Sequence, residues 1–141
     1  FRRVLFRSGY DTMMLMTYVS PITSLERNKQ RDRSLLPSII LRSWRDVNKN
    51  IDAYKQAFGG DFTLVNLDPN DANKNFDEEY VYQTFIKPLG QIGKEKSPEE
   101  IAKSKAETQQ IYSDIKQTLN TQPEFDTLEQ AQQKITNFIN K

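Results

Sequence analysis

A chain of 141 residues, 36% hydrophobic and 28% charged, suits a soluble protein of one domain, or part of one, with a modest core. Its 20 Lys and Arg against 19 Asp and Glu leave a formal charge of +1, so charge singles out neither nucleic acid nor an anionic membrane as partner. The absence of Cys excludes a disulfide framework and thiolate metal sites, and the absence of His removes the commonest general base and metal ligand. Chemistry is left to carboxylates, Lys, Arg, hydroxyls or a metal held by oxygen.

Residues Phe1–Ser8, FRRVLFRS, resemble a translated reading frame of a short-read sequencing adapter and are expected to be a scar. Arg2, Arg3 and Arg7 interrupt the segment and it has no apolar core, so a signal peptide does not fit. Without those arginines 17 basic residues face 19 acidic ones, a net charge of −2. The genuine protein is then expected to start inside a domain. The longest apolar stretch, Met13–Met16 with Tyr18 and Val19, is too short to span a bilayer, which makes a cytoplasmic protein the expectation.

Thr12–Val19 is a nearly continuous apolar run, the pattern of a strand covered on both faces, although a short buried helix shares it. Ser20-Pro21, an N-cap followed by Pro at the first helical position, ends the run and opens a helix through about Gln30. Arg31-Asp32-Arg33-Ser34 breaks the pattern. Pro37 starts a second helix with Ile40, Trp44, Val47, Ile51, Tyr54 and Phe58 on one face, which Gly59-Gly60 stops. Phe62–Val65 reads as a second strand, and Asn66–Asp71 as a loop. The order strand, helix, helix, strand predicts a parallel α/β arrangement.

Beyond the loop the periodicity predicts a helix over about Glu78–Lys87, closed by Pro88-Leu89-Gly90. Ser97-Pro98-Glu99-Glu100 is a capping box opening a helix over Pro98–Leu119. Asp126 with Glu129 is expected to cap a last helix bearing Leu128, Ala131, Ile135, Phe138 and Ile139. Asp68, Asp71, Asp77, Glu78 and Glu79 form an acidic cluster without the spacing or central Gly of a calcium loop, so a solvated loop is the better reading. Trp44 and Tyr54 read as core, and so do Tyr80, Tyr82 and Phe85.

The stretch that could carry chemistry is Leu25–Ser34. Arg27 and Arg31, four apart, would share a helix face, and Arg33 follows in the turn. Three guanidiniums converging on one edge can clamp a polyphosphate. The competing reading is a solvated basic face offset by Glu26 and Asp32. The chain from Met14 to Asp71 resembles the C-terminal half of a P-loop kinase of the zeta-toxin and polynucleotide-kinase-like group. The resemblance rests on the strand ending in Tyr18-Val19, Ser20-Pro21, Leu25-Glu26-Arg27-Asn28 with Arg31 and Arg33, the Pro-started helix, and Phe62–Val65 followed by an Asn/Asp loop. It implies a truncated P-loop kinase-like parallel sheet, its last strands only, over residues 9–75, then an α-helical extension over 76–141.

By that resemblance Arg27, Arg31 and Arg33 are lid arginines that stabilise charge on the transferred phosphoryl group, and Asn66, Leu67, Asp68 and Pro69 border the base. The implied cofactor is ATP or GTP with Mg2+, held largely outside this chain. The acceptor would be a nucleic-acid end or a small hydroxyl compound. No G-x-x-x-x-G-K-[ST] occurs, and Gly90-Gln91-Ile92-Gly93-Lys94 has the wrong glycine spacing, so the chain alone is not expected to catalyse transfer. Two alternatives stay open. One is a non-enzymatic helical interaction module in residues 76–141. The other is a nucleic-acid end-processing enzyme using Lys87, Lys94, Lys96, Lys103 and Lys105 on phosphates. A sheet reduced to its last strands leaves an edge bare, so residues 9–141 are expected to aggregate on their own.

Overall fold

The computed structural model describes residues 9–69, 76–91 and 96–141. The adapter-like segment, Asp71, and Ile92, Gly93 and Lys94 lie outside the described residues. The elements are β1 (Met14–Tyr18), α1 (Pro21–Lys29), α2 (Pro37–Lys49), α3 (Ile51–Phe58), β2 (Phe62–Asn66), α4 (Glu78–Val81), α5 (Pro98–Asn120) and α6 (Leu128–Ile139). The chain is thus mostly helical with a two-stranded parallel sheet, α/β at the coarse level. It forms two compact units, one of residues 9–18, 50–67 and 123–141, the other of residues 19–49, 68–69, 76–91 and 96–122. Among the described residues no helix is long and apolar enough to cross a membrane.

In the first unit β1 pairs with β2 in parallel, from Met14 opposite Phe62 to Tyr18 opposite Asn66. The ladder continues where the Leu67 N–H donates to the Tyr18 carbonyl at 2.8 Å. Phe62, Thr63, Leu64 and Val65 are all buried, so β2 is covered on both faces. For β1 the expectation of two covered faces fails. Met16 and Tyr18 are buried, whereas Leu15 is 54% exposed and Thr17 is also exposed. A continuous apolar run records side-chain type and not which side of a pleat meets a neighbour.

The outer edge of β2 is closed by Asp126. Its N–H donates to the Leu64 carbonyl at 2.7 Å, and its carboxylate accepts from the Leu64 N–H at 2.9 Å. Lys134, on α6, donates to the Phe62 carbonyl at 3.0 Å and to the Asp126 carboxylate at 2.8 Å. Asp126 therefore does not cap the last helix as expected. Thr127 does, with Gln130 completing a capping box. Asp and Thr are both good N-caps, and the choice is settled by the distant Leu64 amide, which takes the carboxylate.

In the second unit α2 lies against α5. The Ser38 N–H reaches the Ser104 hydroxyl at 3.4 Å, and Ser38, Ser104 and Thr108 are buried with Leu41, Trp44, Ile111 and Ile115. Arg42–Glu107 at 2.8 Å, Arg45–Asp114 at 3.5 Å and Lys49–Asp114 at 3.4 Å bridge the exposed side of the pair. The Trp44 indole N–H donates to the Val19 carbonyl at 2.8 Å, fixing that ring in the core. The Ser97–Glu100 capping box opens α5 as expected, and the Ser97 N–H holds the exposed Glu100 carboxyl below its usual range.

Two predicted helices differ in outline. The segment 37–58 is two helices, not one. The Asn48 carboxamide donates to the Trp44 carbonyl at 2.8 Å, competing with the backbone ladder just before the break at Asn50. Val47, expected on the buried face, is 48% exposed. Gly59, at φ 54°, ends α3 in the left-handed region that glycine tolerates. The segment 78–90 passes from α4 through a π turn, Tyr82–Ile86, to a 3-10 turn, Lys87–Gly90. Pro88 has no N–H to continue an α ladder, and the Lys87 N–H bonds back to the Tyr82 carbonyl instead.

Burial pulls the Asp126 carboxyl upward, but the hydrogen bonds from Lys134 and the Leu64 N–H, with the charges of Lys134 and Lys55, outweigh it and leave its pKa below the ordinary value. Its contribution to stability is complete above the unfolded-state pKa of about 3.9 and is lost as pH falls through the lower folded-state value. Asp126→Asn, which keeps an acceptor for Leu64 but not the charge beside Lys134, is expected to lower stability at neutral pH. It should also flatten the acid limb of the stability curve, measured by urea unfolding at a series of pH values. An acid limb as steep as that of the parent chain would contradict this role.

Candidate functional site

Helix α1 is fixed at both ends by side chains. At its start the Ser20 hydroxyl accepts from the Thr23 N–H at 3.2 Å and donates to the Thr23 hydroxyl at 3.1 Å. The Thr23 hydroxyl donates to one oxygen of the Asp68 carboxylate at 2.7 Å, and the Ser20 N–H donates to the other at 2.6 Å. Ser20 and Thr23 are buried. A carboxylate at a helix N-terminus meets the partial positive charge of the unpaired N–H groups there, so Asp68 anchors the chain that follows β2 to the start of α1.

At the other end the Gln30 N–H bonds to the Glu26 carbonyl at 3.2 Å, and the Arg31 N–H bonds only three residues back, to Asn28, at 3.2 Å. Arg31 thus lies past the last helical turn, and the helix face expected to join Arg27 to Arg31 stops short of Arg31. What holds the loop is Asn28, 6% exposed. Its carboxamide N–H donates to the Leu35 carbonyl at 2.8 Å, and its carboxamide oxygen accepts from the Leu35 N–H at 2.9 Å. This bracket closes residues 29–34 into a loop whose tip is Arg31-Asp32-Arg33.

Arg27, Arg31 and Arg33 are exposed, and among the described residues none enters an ion pair. Arg27 and Lys29 occupy the last turn of α1, where cations favour the helix dipole. The structure therefore brings the three arginines to one end of α1 and Asp68 to the other, roughly 13 Å apart for nine helical residues. Leu67 is 49% exposed, and Asn66 and Pro69 are exposed as well. Asn66 and Leu67 belong to the first unit; Asp68, Pro69 and the arginines belong to the second.

The acidic cluster does not act as one group. Asp77 caps α4 by accepting from the Tyr80 N–H at 2.6 Å, and Glu78 and Glu79 sit in that first turn. Among the described residues no three carboxylates come together as a cation site. The Lys105 ammonium lies 4.3 Å from the centre of the Tyr82 ring, beside a cleft of about 280 Å3 between the π turn and α5. Of the residues singled out in the sequence, Glu78, Glu79, Tyr82 and Lys105 line that cleft, whereas none of Arg27, Arg31, Arg33, Asn66, Leu67, Asp68 or Pro69 does. Sequence reasoning missed the part played by Asn28, because its partner, seven residues on, is backbone and leaves no trace in residue type.

Comparison of the chain with models of known protein families, with curated proteins and with solved structures gave no match.

Asn28→Ala removes both bonds of the bracket and leaves the Leu35 N–H and carbonyl without their partner. It is expected to cost about 1–3 kcal/mol in chemical denaturation and to raise hydrogen exchange at the Leu35 amide. An Asn28→Ala chain with unchanged stability and unchanged Leu35 exchange would show that the loop is held by other means.

Proposed function

We propose that this chain carries the arginine lid of a nucleotide-dependent phosphotransferase, of the kind the resemblance to zeta-toxin and polynucleotide-kinase-like enzymes implies. The observation that carries the proposal is the pinned loop. Three guanidiniums leave one helix end, exposed and unpaired among the described residues, from a base that the Asn28 bracket makes rigid. Parallel pairing of the strand before α1 with the strand after α3 supports it at the level of topology.

Phosphoryl transfer is catalysed mainly by positioning and by electrostatic stabilisation of charge on the phosphoryl oxygens. In this reading Arg27, Arg31 and Arg33 supply fixed positive charge with forked donors to the polyphosphate of ATP or GTP. That Asn66, Leu67, Asp68 and Pro69 flank the base is implied by the resemblance alone. Leu67 offers apolar surface, and Asp68, through Ser20 and Thr23, holds the loop's course. The three cations fit a polyphosphate, but the described residues provide no cluster of carboxylates for Mg2+. In this reading the phosphate cradle and metal ligands lie outside the described residues. The acceptor is a hydroxyl, of a nucleic-acid end or of a small molecule.

Titration of isotopically labelled chain with MgATP, and separately with inorganic tripolyphosphate, tests the proposal. The side-chain Nε–H signals of Arg27, Arg31 and Arg33 are expected to shift with both ligands. Binding should weaken about tenfold for each Arg→Ala, the loss of one charge-assisted contact. Arginine signals that stay put at millimolar ligand would overturn it.

A further inference from the structure

The two outer edges of the sheet differ. That of β2 is closed by Asp126 and Lys134. That of β1 meets no partner strand among the described residues. The Tyr18 carbonyl faces β2, where it accepts from Leu67, and successive residues of a strand point their N–H and C=O groups to opposite sides. Met14 and Met16 therefore also face β2, while Met13, Leu15 and Thr17 present theirs to the open edge. No charge, proline or bulge guards this edge between Thr12 and Val19, and Leu15 at its centre is 54% exposed.

We infer that β1 pairs edge to edge, antiparallel, with β1 of a second copy of this chain, about a two-fold axis at Leu15. The register follows from the sequence. Centred on Leu15, the pairing sets Met13 opposite Thr17 of the other copy and Leu15 opposite its own equivalent. It stays inside the uncharged segment and forms about six hydrogen bonds from the groups left open. Centred on Met13, it would bring charged Asp11 opposite Leu15. Centred on Thr17, it would bring Pro21 opposite Met13, where the partner needs an N–H that proline lacks. The facing Leu15 side chains cover each other on the same face of the joined sheet.

The closed edge of β2 sets the stoichiometry. With one open edge per copy among the described residues the contact is isologous and closes at two, so the product is a discrete dimer and not an open-ended stack. On this inference a second copy meets the bare edge, where aggregation is the expectation from the sequence. The arginines take no part in this pairing, so a failed dimer leaves the lid reading standing, although in the lid reading further strands of the enzyme would compete for this edge.

Sedimentation equilibrium of the full chain at submillimolar concentration tests the inference. The expected mass is twice the 16.5 kDa of the chain. Leu15→Lys, on an exposed side chain, should return the monomer with unchanged circular dichroism. As a second arm, the chain has no native thiol, so Leu15→Cys should form a disulfide-linked dimer on mild oxidation faster than Leu67→Cys, whose side chain is comparably exposed. A monomeric parent chain, assembly beyond two copies, a Leu15→Lys chain that stays dimeric, or equal cross-linking at both positions would each overturn it.

Discussion

The hydrogen bonding of Leu64 is the constraint on which the sheet of the first unit depends. This residue is fully buried in a strand that is itself buried on both faces, so its N–H and C=O have no recourse to water. Strand β1 lies on one side of β2, and on the other Asp126 supplies a backbone N–H and a carboxylate oxygen to the same residue. A buried backbone group without a partner costs about 1–3 kcal/mol, so the pair of bonds is worth a sizeable share of a small unit's stability. Lys134 ties α6 to the same place, and Lys141 reaches Asp61 at 2.6 Å. The end of the chain is thereby part of the sheet's support.

The same device recurs in the second unit. Asn28 exchanges two hydrogen bonds with the backbone of Leu35, as Asp126 does with Leu64. Asn28 makes both bonds with its side chain, whereas Asp126 makes one with its carboxylate and the other with its own N–H, and each does for backbone what a neighbouring strand would do. The consequences differ. Asp126 ends a sheet, while Asn28 makes a platform from which arginines project. Positioned charge, not charge alone, is what distinguishes a phosphate clamp from a solvated basic face, and the bracket is the observation on which the proposed clamp rests.

Local chemistry was legible where it is local. Ser20-Pro21 and Ser97–Glu100 mark the starts of α1 and α5, and Gly59 marks the end of α3, because caps and stops act within one turn. The strands could be read from their apolar runs, and the parallel pairing from the helices between them. The outward face of β1 could not, since exposed Leu15 and buried Met16 look alike in sequence. The break at Asn50 was hidden by a 3-4 periodicity that runs straight across it, with Val47 exposed on one side and Ile51 buried on the other. Asp126 was read as a cap because Asp before a helix commonly is one; its true partner is 62 residues away. For the candidate site, the arginines were visible as residue types, whereas the bracket that closes the loop carrying Arg31 and Arg33 depends on a side chain meeting backbone.

Closure of β2 on both sides of Leu64 supports the sheet, and the exchange rate of one amide tests it most directly. In residue-resolved hydrogen exchange the Leu64 N–H should be protected as strongly as the Leu67 N–H, which bonds to Tyr18 across the β1–β2 pair. Exchange of Leu64 at the rate of an open strand edge, with Leu67 still protected, would contradict the closure by Asp126.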